Sequence, residues 1–504
     1  MSAILKRLEF IAGFLPENQI AIEDGSESLT YKELFERINH CAQWLVNHDV
    51  KCLGLNAGNS IDWVIADLAC QEASVICVPI PAFFSEDQLR RCITSSGVDC
   101  LLTHAHQLKT ESFQPNLTLD AKGIALGTKL QSLKIQSSAR AVYPDGTQKI
   151  TYTSGSTGNP KGVCLSLEHQ WSVAQSLADT VPLKRPRHLC LLPLATLLEN
   201  IAGIYSPFLS GGTVVVPDDK ARGIFGSSSI DVQALLKCIS SYKPDSIILI
   251  PQLLGALVQA ASDGWVPPDS LKFIAVGGGR VSLELIFQAR SLGLPVYQGY
   301  GLSECGSVVA LNTPEEDQIN SVGKILPHGK VTIASDGEII VTGAVFLGYL
   351  GAPETWHPTK VKTGDLGSLK HNYLQVQGRK KNILITSFGR NISPEWVESE
   401  ILSSPFIQQC MVVGDGRPYL TALVSSDEMF PDQHIERWIQ EINSRLPDYA
   451  QVHQWQRVKG KDLLPLLTDN GRLKRSLIEG HFAHKIDAMY SQESLQPDSR
   501  MVMP

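Results

Sequence analysis

Apolar residues recur with helical spacing near the start of the chain. In the segment "LTYKELFERINHCAQWL" they are four, three and four residues apart, at Leu34, Ile38, Cys41 and Leu45. Thr30 comes directly before this pattern and is followed three residues later by a glutamate, which is the arrangement of a capping box. The pattern predicts an amphipathic helix that begins just after Thr30.

Short runs of apolar, β-branched residues separate such helical patterns. The runs "VICVPI" (Val75–Ile80) and "IILI" (Ile247–Ile250) are typical of buried strands. The segment Leu271–Gly301 reads as a strand, a glycine-rich turn, a helix and a second strand. Strands that alternate with helices predict layered α/β structure, so the expected fold class is α/β.

The pattern changes twice in the second half of the chain. From Gly337, "GEIIVTG" is typical of a hairpin strand, and the region after residue 310 is expected to be more antiparallel. Beyond Arg379, Ser393 and Pro394 form a helix start, with proline at the first helical position. The remaining chain, about 120 residues, is long enough for a small domain. We therefore predict a large domain at residues 1–379 and a small one at residues 380–504.

Composition narrows the class of partner. Hydrophobic residues make up 43% of the chain, charged residues 19%, and the formal net charge is −7. This is the balance of a soluble globular protein with no basic surplus for a phosphodiester backbone, so we expect no nucleic acid partner. The eleven cysteines are odd in number and include no C-x-x-C pair, which favours a reducing compartment and predicts a cytoplasmic protein.

No membrane segment is expected from the apolar runs. Lys6, Arg7 and Glu9 interrupt the first run before it reaches the length of a signal peptide. The longest run, Ile247–Ala261, contains Pro251 and is shorter than the roughly 20 residues that cross a bilayer.

The segment "ITYTSGSTGNPKGV" (Ile150–Val163) carries the strongest chemical signal. Its glycines let main-chain N–H groups approach phosphate oxygens, its hydroxyls donate further hydrogen bonds, and Lys161 supplies a positive charge. A flexible surface loop is the alternative interpretation. The candidate polyphosphate-binding residues are Thr153, Ser154, Gly155, Ser156, Thr157, Gly158 and Lys161.

Two common nucleotide motifs do not fit. Pro160 stands where a Walker A loop requires its second glycine. The glycines at 277–279 do not form a dinucleotide fingerprint, because Ser282 occupies the position of the third glycine.

Four further motifs follow the glycine-rich loop along the chain. They are "QGYGLSE" (Gln298–Glu304), "TGDLG" (Thr363–Gly367), "GRKKN" (Gly378–Asn382) and "TDNGRLKR" (Thr468–Arg475). In this order the five motifs resemble the core motifs of the adenylate-forming (ANL) superfamily, which includes acyl-CoA synthetases, nonribosomal peptide adenylation domains and luciferases. The longer segment "GRKKNILITSFGRNISPEWVE" is similar to bacterial long-chain fatty acyl-CoA ligases.

The resemblance implies a fold and a two-step reaction. The large domain would contain layered α/β sheets and a distorted β-barrel-like subdomain, and a small mobile α+β domain would rotate about a hinge at Lys381. A carboxylate would attack the α-phosphate of Mg-ATP to give acyl-AMP and pyrophosphate, and the thiol of CoA would then displace AMP. The expected substrate is an aliphatic acid, and Mg²⁺, ATP and CoA are the expected cofactor and co-substrates.

The resemblance also assigns roles to single residues. Glu304 would bind Mg²⁺, an ion that prefers oxygen ligands, with Thr153 as a second ligand. Tyr300 would stack on adenine, and Asp365 and Arg379 would bind the ribose. The other nucleotide-binding candidates are Gly277, Gly278, Gly279, Gln298, Gly299, Gly301 and Ser303.

Each of these assignments has a simpler alternative. Glu304 also fits an ordinary glutamate at a helix start, Asp365 fits a turn aspartate, and Lys381 fits a solvated basic cluster.

The acyl and thiol sites are expected at five positions. Thr196 and Asn200 would border the acyl pocket, Gly278 and Gly301 would line it, and Gly389 would leave room for a pantetheine arm.

The last motif departs from the family pattern. Gly471 fits, but Arg472 stands where the family has a lysine that bridges the carboxylate and the α-phosphate during adenylation. Arginine keeps its charge and can bridge two anions, although its donors point in other directions than those of lysine. Lys474 is the rival catalytic cation, because residues two apart share a face in an extended segment.

Other outcomes remain open at this point. A carrier-protein pantetheine or an amine is the alternative acyl acceptor to CoA, and a homologue that binds nucleotide or acyl ligand without turnover is a further alternative.

Overall fold

The computed structural model describes residues 3–104, 119–124, 127–135, 141–153, 161–225, 229–404, 406–468 and 473–491. The chain forms two compact units. The first comprises Met1–Gly279, Ile286–Thr363 and Gly367–Val376, and the second comprises Arg280–Leu285, Gly364–Leu366 and Gln377–Pro504. The second unit thus includes two short segments that the sequence-based boundary at residue 379 assigns to the large domain. That boundary stays a prediction.

The strands are numbered in chain order. They are β1 Ile20–Glu23, β2 Ser28–Thr30, β3 Cys52–Asn56, β4 Ile76–Pro79, β5 Cys100–Thr103, β6 Leu119–Ile124, β7 Gln131–Ile135, β8 Lys149–Thr153, β9 Lys161–Leu165, β10 Arg187–Leu189, β11 Thr213–Val215, β12 Ile224–Phe225, β13 Ser229–Ile230, β14 Ser246–Leu249, β15 Phe273–Val276, β16 Val296–Tyr300, β17 Ala310–Leu311, β18 Lys324–Ile325, β19 Gly329–Ile333, β20 Glu338–Gly343, β21 Gly348–Tyr349, β22 Lys360–Lys370, β23 Tyr373–Arg379, β24 Leu384–Ile385, β25 Asn391–Ile392, β26 Ile407–Val413, β27 Leu420–Ser426 and β28 Val452–Arg457.

The helices are numbered in the same way. The α-helices are α1 Ala3–Ala12, α2 Tyr31–Asn47, α3 Ile61–Glu72, α4 Glu86–Ser96, α5 Leu167–Thr180, α6 Ser206–Leu209, α7 Asp219–Arg222, α8 Val232–Tyr242, α9 Pro251–Ser262, α10 Leu283–Ser291, α11 Pro394–Ile401, α12 Asp432–Asn443, α13 Gly460–Leu463, α14 Arg475–His481 and α15 Ala483–Ser491. A π-helix spans Glu199–Tyr205, and short 3₁₀ helices span Ser303–Cys305, Pro353–Thr355, Lys380–Asn382, Asp448–Ala450 and Leu464–Leu466.

The largest sheet has thirteen strands in the order β19-β20-β22-β23-β18-β17-β16-β15-β14-β10-β11-β1-β2. Neighbouring strands from β16 to β1 are parallel, whereas the pairs from β16 to β17 and from β17 to β18 are antiparallel. The predicted strands at Val75–Ile80 and Ile247–Ile250 appear as β4 and β14. The expected change to antiparallel pairing after residue 310 is also confirmed. The predicted closure of this region into a distorted barrel stays a prediction.

A second sheet of eight strands has the order β21-β9-β8-β4-β3-β5-β7-β6. Its centre, from β8 through β4 and β3 to β5, is parallel, and both flanks are antiparallel. Strands β8 and β9 form a hairpin, and the predicted phosphate loop connects them. The mixed α/β fold class is confirmed.

The helix predicted after Thr30 is α2, and its start follows local chemistry. The Thr30 hydroxyl accepts the Glu33 N–H at 3.3 Å, and the Glu33 carboxylate accepts the Thr30 N–H at 2.8 Å. This reciprocal capping box confirms the sequence prediction. The apolar stripe of α2 is buried in the core of the first unit.

The second unit has its own core. Strands β26, β27 and β28 form a three-stranded sheet, and α11 and α12 pack their apolar faces onto one cluster of buried residues. A second cluster holds α14 and α15. The predicted helix start at Ser393 and Pro394 is confirmed, although the Ser393 hydroxyl hydrogen-bonds Glu395 Oε2 at 3.0 Å and not a main-chain N–H. The small domain is therefore α+β, as expected.

Two further features concern the cysteines and the helices. All eleven cysteines are buried, and none forms a disulfide. Among the described residues, no helix combines the length and apolar character that a bilayer crossing requires.

Candidate active site

The predicted phosphate loop leaves the second sheet between β8 and β9. Thr153 and Lys161 are the last and first residues of these strands, and they are directly opposite each other in the antiparallel register. Both therefore lie where the loop departs from the sheet. Ser154, Gly155, Ser156, Thr157 and Gly158 fall outside the described residues, so their role stays a prediction.

One glycine of this motif has a packing function. A Cβ atom added to Gly162 would lie 2.9 Å from Leu350 Cβ and 3.1 Å from Ile150 Cγ2. Gly162 therefore allows close packing of the chain after β21 against β9, which supports the carboxyl-side base of the loop.

Strand β8 begins with a buried ion pair. Lys149 Nζ lies 2.7 Å from Asp67 Oδ1, and both side chains are 1% exposed. Tyr205 OH accepts a hydrogen bond from Lys149 at 2.8 Å and donates one to Asp67 Oδ2 at 2.5 Å. Asn200 accepts from Lys149 and donates to Asp67 Oδ2 at 3.0 Å. This polar network fixes the first residue of the strand that leads into the loop.

The two predicted acyl-pocket residues have different surroundings. Thr196 is exposed, and its carbonyl accepts the Asn200 N–H at 3.1 Å. Asn200 is 1% exposed and belongs to the network around Lys149. The structure thus gives Asn200 a structural role, and the assignment of both residues to an acyl pocket stays a prediction.

A second buried network lies at the start of the π-helix. His188 Nε2 is 3.0 Å from Glu199 Oε1, and His188 Nδ1 is 2.9 Å from Ser246 Oγ. Glu199 Oε2 accepts the Leu192 N–H at 3.1 Å, and Cys190 Sγ is 3.6 Å from the Gly203 carbonyl.

Three of these side chains have donor atoms that suit a metal ion. The atoms of His188, Cys190 and Glu199 lie within 4.8 Å of one another. Each atom already has a hydrogen-bond partner in the protein. Burial, with the Glu199 charge adding to it, raises the pKa of the Cys190 thiol well above its usual range, which opposes the thiolate that a metal ligand requires. We therefore interpret the cluster as part of the core.

Glu304, the predicted Mg²⁺ ligand, lies in the short 3₁₀ helix after β16. The Tyr349 hydroxyl donates a hydrogen bond to Glu304 Oε1 at 2.8 Å. Lys161 Nζ lies 5.3 Å from the centroid of the Tyr349 ring, within the range of a cation–π contact. One tyrosine thus contacts the predicted metal ligand and the predicted phosphate cation.

Sequence reasoning did not find Tyr349. It stands in "FLGYLGAPETW", where a single tyrosine between apolar residues resembles ordinary core sequence. Its contacts with Glu304 and Lys161 depend on the pairing of β21 with β9, and no local sequence pattern predicts that long-range pairing.

The predicted nucleotide-binding residues of two other segments lie at the carboxyl ends of neighbouring strands. Strands β15 and β16 are parallel, with Val276 opposite Gln298, so Gly277 follows one strand close to Gly299 on the other. A Cβ atom added to Gly277 would lie 3.4 Å from the Gly299 carbonyl oxygen. Carboxyl ends of parallel strands are the usual place for ligands in open α/β sheets.

The remaining candidates of this region lie close by in sequence. Gly278 has φ +77°, which favours glycine. A Cβ atom at Gly301 would lie 1.5 Å from the Ser307 carbonyl oxygen, so packing alone requires that glycine. Tyr300 ends β16, and Ser303 starts the 3₁₀ helix of Glu304. Contacts of these residues with nucleotide or acyl group stay predictions.

The second unit brings two predicted ribose ligands together. Arg379 Nε lies 2.9 Å from Asp365 Oδ1, and the two side chains are 42% and 5% exposed. This ion pair orients a buried carboxylate beside an accessible guanidinium. Its role in ribose binding stays a prediction.

The hinge and thiol-tunnel candidates belong to the same unit. Lys381 lies in the 3₁₀ helix Lys380–Asn382. Gly389 has φ +74°, and an added Cβ atom would meet nothing within 4 Å. Backbone conformation, and not crowding, therefore explains glycine at position 389 in this structure.

The last motif is described only in part. Gly471 and Arg472 lie outside the described residues. Lys474 is half-buried, and its N–H donates to the Leu466 carbonyl at 2.9 Å, just before α14.

Arg475 Nη1 donates to the Val412 carbonyl at 3.1 Å, and its Nη2 pairs with buried Glu398. The contacts of Arg475 give it a structural role in the second unit.

Two family models and several known proteins match the chain. The model of the AMP-binding enzyme family matches residues 12–350, and that of the AMP-binding enzyme C-terminal domain matches residues 381–494. The chain is 25% identical to the long-chain-fatty-acid–CoA ligase FadD15 of Mycobacterium tuberculosis strain H37Rv, over 88% of this chain and 89% of the relative. It is 27% identical to the 2-succinylbenzoate–CoA ligase of Bacillus subtilis strain 168, over 79% and 83% of the two chains.

One solved structure has a similar fold over almost the whole length of this chain. It is the o-succinylbenzoate CoA synthetase of Bacillus subtilis with its acyl-adenylate intermediate, which has a TM-score of 0.76 at 25% identity and covers 94% of this chain and 97% of its own. The resemblance to the adenylate-forming superfamily is thereby confirmed. On the strength of the two family models, which together account for most of its length, the chain belongs to the AMP-binding enzyme family.

Proposed function

We propose that the protein is an acid–thiol ligase that activates a carboxylic acid with ATP and transfers the acyl group to CoA. The observation that carries this proposal is the convergence of Lys161 and Glu304 on Tyr349. These two residues come from motifs that are far apart in sequence. A positive charge and a carboxylate at one place are what the binding of a metal-bound polyphosphate requires.

The first half-reaction forms acyl-AMP. A carboxylate oxygen of the acid attacks the α-phosphorus of ATP, the bond from this phosphorus to the oxygen that bridges the β-phosphate breaks, and pyrophosphate leaves. Lys161 would balance the negative charge of the phosphates, and Arg472 or Lys474 would bridge the acid and the α-phosphate. Asp365, oriented by Arg379, would accept hydrogen bonds from the ribose.

The donor atoms of Glu304 and Thr153 are of the type that suits Mg²⁺. Glu304 offers a carboxylate, and Thr153 offers a hydroxyl at the end of β8; both are the hard oxygen ligands that this ion prefers. When bound, Mg²⁺ supplies positive charge to the phosphates of ATP. The residues of the chain orient the nucleotide and the acid.

The second half-reaction forms the thioester. The thiol of CoA loses its proton to solvent, its sulfur attacks the acyl carbon, the bond between this carbon and the phosphate oxygen breaks, and AMP leaves. Gly389 would lie beside the pantetheine arm, where the lack of a side chain leaves space. A carrier-protein pantetheine or an amine as acceptor would use the same first step.

A fatty acid is our first choice of substrate. The segment from Gly378 to Glu398 is similar to long-chain ligases, and the relative FadD15 matches most of the chain. The relatives named as 2-succinylbenzoate–CoA ligases make an aromatic dicarboxylic acid the second candidate.

The test is a mixed-substrate assay. Purified protein is incubated with Mg-ATP and with fatty acids of short, medium and long chain, 2-succinylbenzoate, benzoate and amino acids, each with and without CoA. Mass spectrometry records acyl-AMP and acyl-CoA, and Glu304→Ala serves as the inactive control.

Each outcome of this assay decides between candidates. Formation of a fatty acyl-CoA supports the proposal in full. Formation of an aromatic acyl-CoA supports the ligase activity and shows that the substrate is an aromatic acid. Acyl-AMP without acyl-CoA shifts the acceptor to a carrier protein or an amine. If no acid yields either product and ATP is not consumed, the protein is not the ligase proposed.

A further inference from the structure

Tyr349 is held firmly from several sides. Strand β21 places it opposite Val163 of β9. Its N–H donates to Thr355 Oγ1 at 3.0 Å, and its carbonyl accepts the Trp356 Nε1–H at 3.0 Å. Its ring packs edge-to-face on Phe346 with centroids 4.9 Å apart. Since main chain and ring are both fixed, the hydroxyl has a defined position before any ligand binds.

The same segment also holds the main chain of Glu304. The Phe346 N–H donates to the Glu304 carbonyl at 2.7 Å, three residues before Tyr349. The hydroxyl of Tyr349 and the carboxylate of Glu304 therefore share one rigid frame. Their separation of 2.8 Å is that of a normal O–H···O hydrogen bond.

The hydrogen bond uses only part of the carboxylate. A carboxylate has two oxygens and about four lone-pair sites, and Tyr349 takes one site on Oε1. In the part of the chain that the structure describes, Tyr349 is the one side chain that hydrogen-bonds this carboxylate.

The ring of Tyr349 contacts a second charged residue, Lys161. In a strand, residues two apart lie on the same face, so Lys161 shares a face of β9 with Val163, the residue opposite Tyr349. The Lys161 ammonium lies 5.3 Å from the centre of the Tyr349 ring. The ring and the hydroxyl of Tyr349 thus contact different charged groups.

We infer that Tyr349 is a positioning residue that orients the Glu304 carboxylate towards the divalent cation of Mg-ATP. The inference rests on the proposed function and adds to it a residue that neither the motifs nor the family matches assign. Hydrogen-bond partners of metal ligands fix ligand orientation, and their loss typically weakens metal affinity or activity about 10- to 100-fold. The hydroxyl is the operative group, and the ring supports Lys161.

The decisive substitution is Tyr349→Phe. It keeps the packing on Phe346 and the contact with Lys161, and it removes only the hydroxyl. The Mg²⁺ concentration that gives half-maximal pyrophosphate release is expected to rise about 10-fold. The same shift is expected in calorimetric titrations of ATP at several Mg²⁺ concentrations with no acid present, a readout that does not depend on turnover.

The chain offers a closely matched control. The Tyr373 hydroxyl donates to Glu316 Oε2 at 2.8 Å, and Lys324 Nζ lies 5.5 Å from the Tyr373 ring, so the same three residue types meet at an exposed site. Tyr373→Phe removes an equivalent hydrogen bond and should leave the Mg²⁺ dependence unchanged. A shift of equal size in both variants would show a general effect and overturn the inference.

A double-mutant cycle tests whether Tyr349 acts through Glu304. In a Glu304→Gln background, Tyr349→Phe should cause no further loss of Mg²⁺-dependent ATP binding, since the oriented carboxylate is already gone. A full additional loss would mean that Tyr349 acts by another route. Thermal unfolding of each variant shows whether the fold is retained.

The inference and the proposed function fail in different ways. If the parent protein forms acyl-AMP and Tyr349→Phe has the parent Mg²⁺ dependence, the inference is wrong and the proposed function stands. If the parent protein neither binds ATP in the presence of Mg²⁺ nor forms acyl-AMP, both are wrong.

Discussion

The cations of the segment at residues 472–475 differ in their surroundings. The Arg475 side chain is 15% exposed and pairs with buried Glu398, so it stabilises the second unit. Lys474 is half-buried at the start of α14. Arg472 lies outside the described residues and remains the position that matches the family lysine. Of the two described cations, Arg475 thus pairs with a buried carboxylate, and Lys474 and Arg472 stay the catalytic candidates.

Alanine substitutions separate the two candidates. We predict that Arg472→Ala lowers the rate of acyl-AMP formation about 100-fold, because loss of one preorganised donor to the reacting groups costs this much in other enzymes. Lys474→Ala should retain most of the rate. Pyrophosphate release in a single turnover, with saturating acid and Mg-ATP, measures both. The reverse order of the two effects would make Lys474 the bridging cation.

The buried pair of Lys149 and Asp67 predicts a large effect on stability. Lys149→Met leaves the Asp67 carboxylate buried without its counter-charge, and loss of one partner of a buried pair costs about 3–5 kcal/mol. Denaturant unfolding of the first unit measures the loss. The control is Lys51→Met, which removes an exposed pair with Asp49 and should change stability little. Similar losses in both variants would contradict the special role of burial.

At the scale of elements, the sequence predicts those features that depend on neighbouring residues. The capping box of α2, the proline at the start of α11 and the strands β4 and β14 are all local patterns, and all are confirmed. Local chemistry decides where these elements begin because the groups involved lie within one helical turn or one short run.

Long-range contacts explain what the sequence did not predict. The contact of Tyr349 with Glu304 depends on how β21 pairs with β9. The burial of Asn200 depends on the π-helix, which directs it to Lys149 and Asp67. In sequence, a polar residue that lines a pocket and one that completes a buried network look the same. Only the partners distinguish the two roles.

The turn around Gly389 predicts a separation of the two half-reactions. Gly389→Trp adds a large side chain at a position where an added Cβ atom meets nothing within 4 Å, and its backbone strain at positive φ is the same as that of an alanine variant. We expect acyl-AMP formation to continue and thioester formation to fall about 100-fold, as small misplacements of a reacting group can cause losses of this size.

Alanine at the same position is the matched control. Gly389→Ala imposes the same strain at positive φ without the bulk. Separate assays of acyl-AMP and acyl-CoA should show loss of the thioester in the tryptophan variant alone. Equal behaviour of the two variants would exclude a steric role for this position.

At the scale of the whole molecule, the burial of His328 leads to a prediction of how the free energy of unfolding depends on pH. Burial lowers the pKa of His328 from its ordinary value of 6.5 to about 4. The unfolded chain therefore takes up a proton near pH 6.5, and the folded chain does so only near pH 4. The contribution to stability is complete above pH 6.5 and is lost as the pH falls towards 4.

His328→Gln should make the first unit less sensitive to acid. The decrease in the free energy of unfolding between pH 7 and pH 5 should be smaller than in the parent protein by about 1–2 kcal/mol. Denaturant unfolding at the two pH values measures the difference. The exposed His434, changed to glutamine, is the control, and an identical pH dependence in all three proteins would refute the prediction.

The buried cysteines provide the molecule with internal reporters. Ten of the eleven lie in the first unit, and Cys410 lies in the second. A thiol reagent reaches a buried cysteine only when the surrounding structure opens, so the rate of labelling follows local or global unfolding. Peptide mapping of labelled Cys410 against the other ten would therefore follow the opening of each unit separately, in the natural sequence and without an added probe.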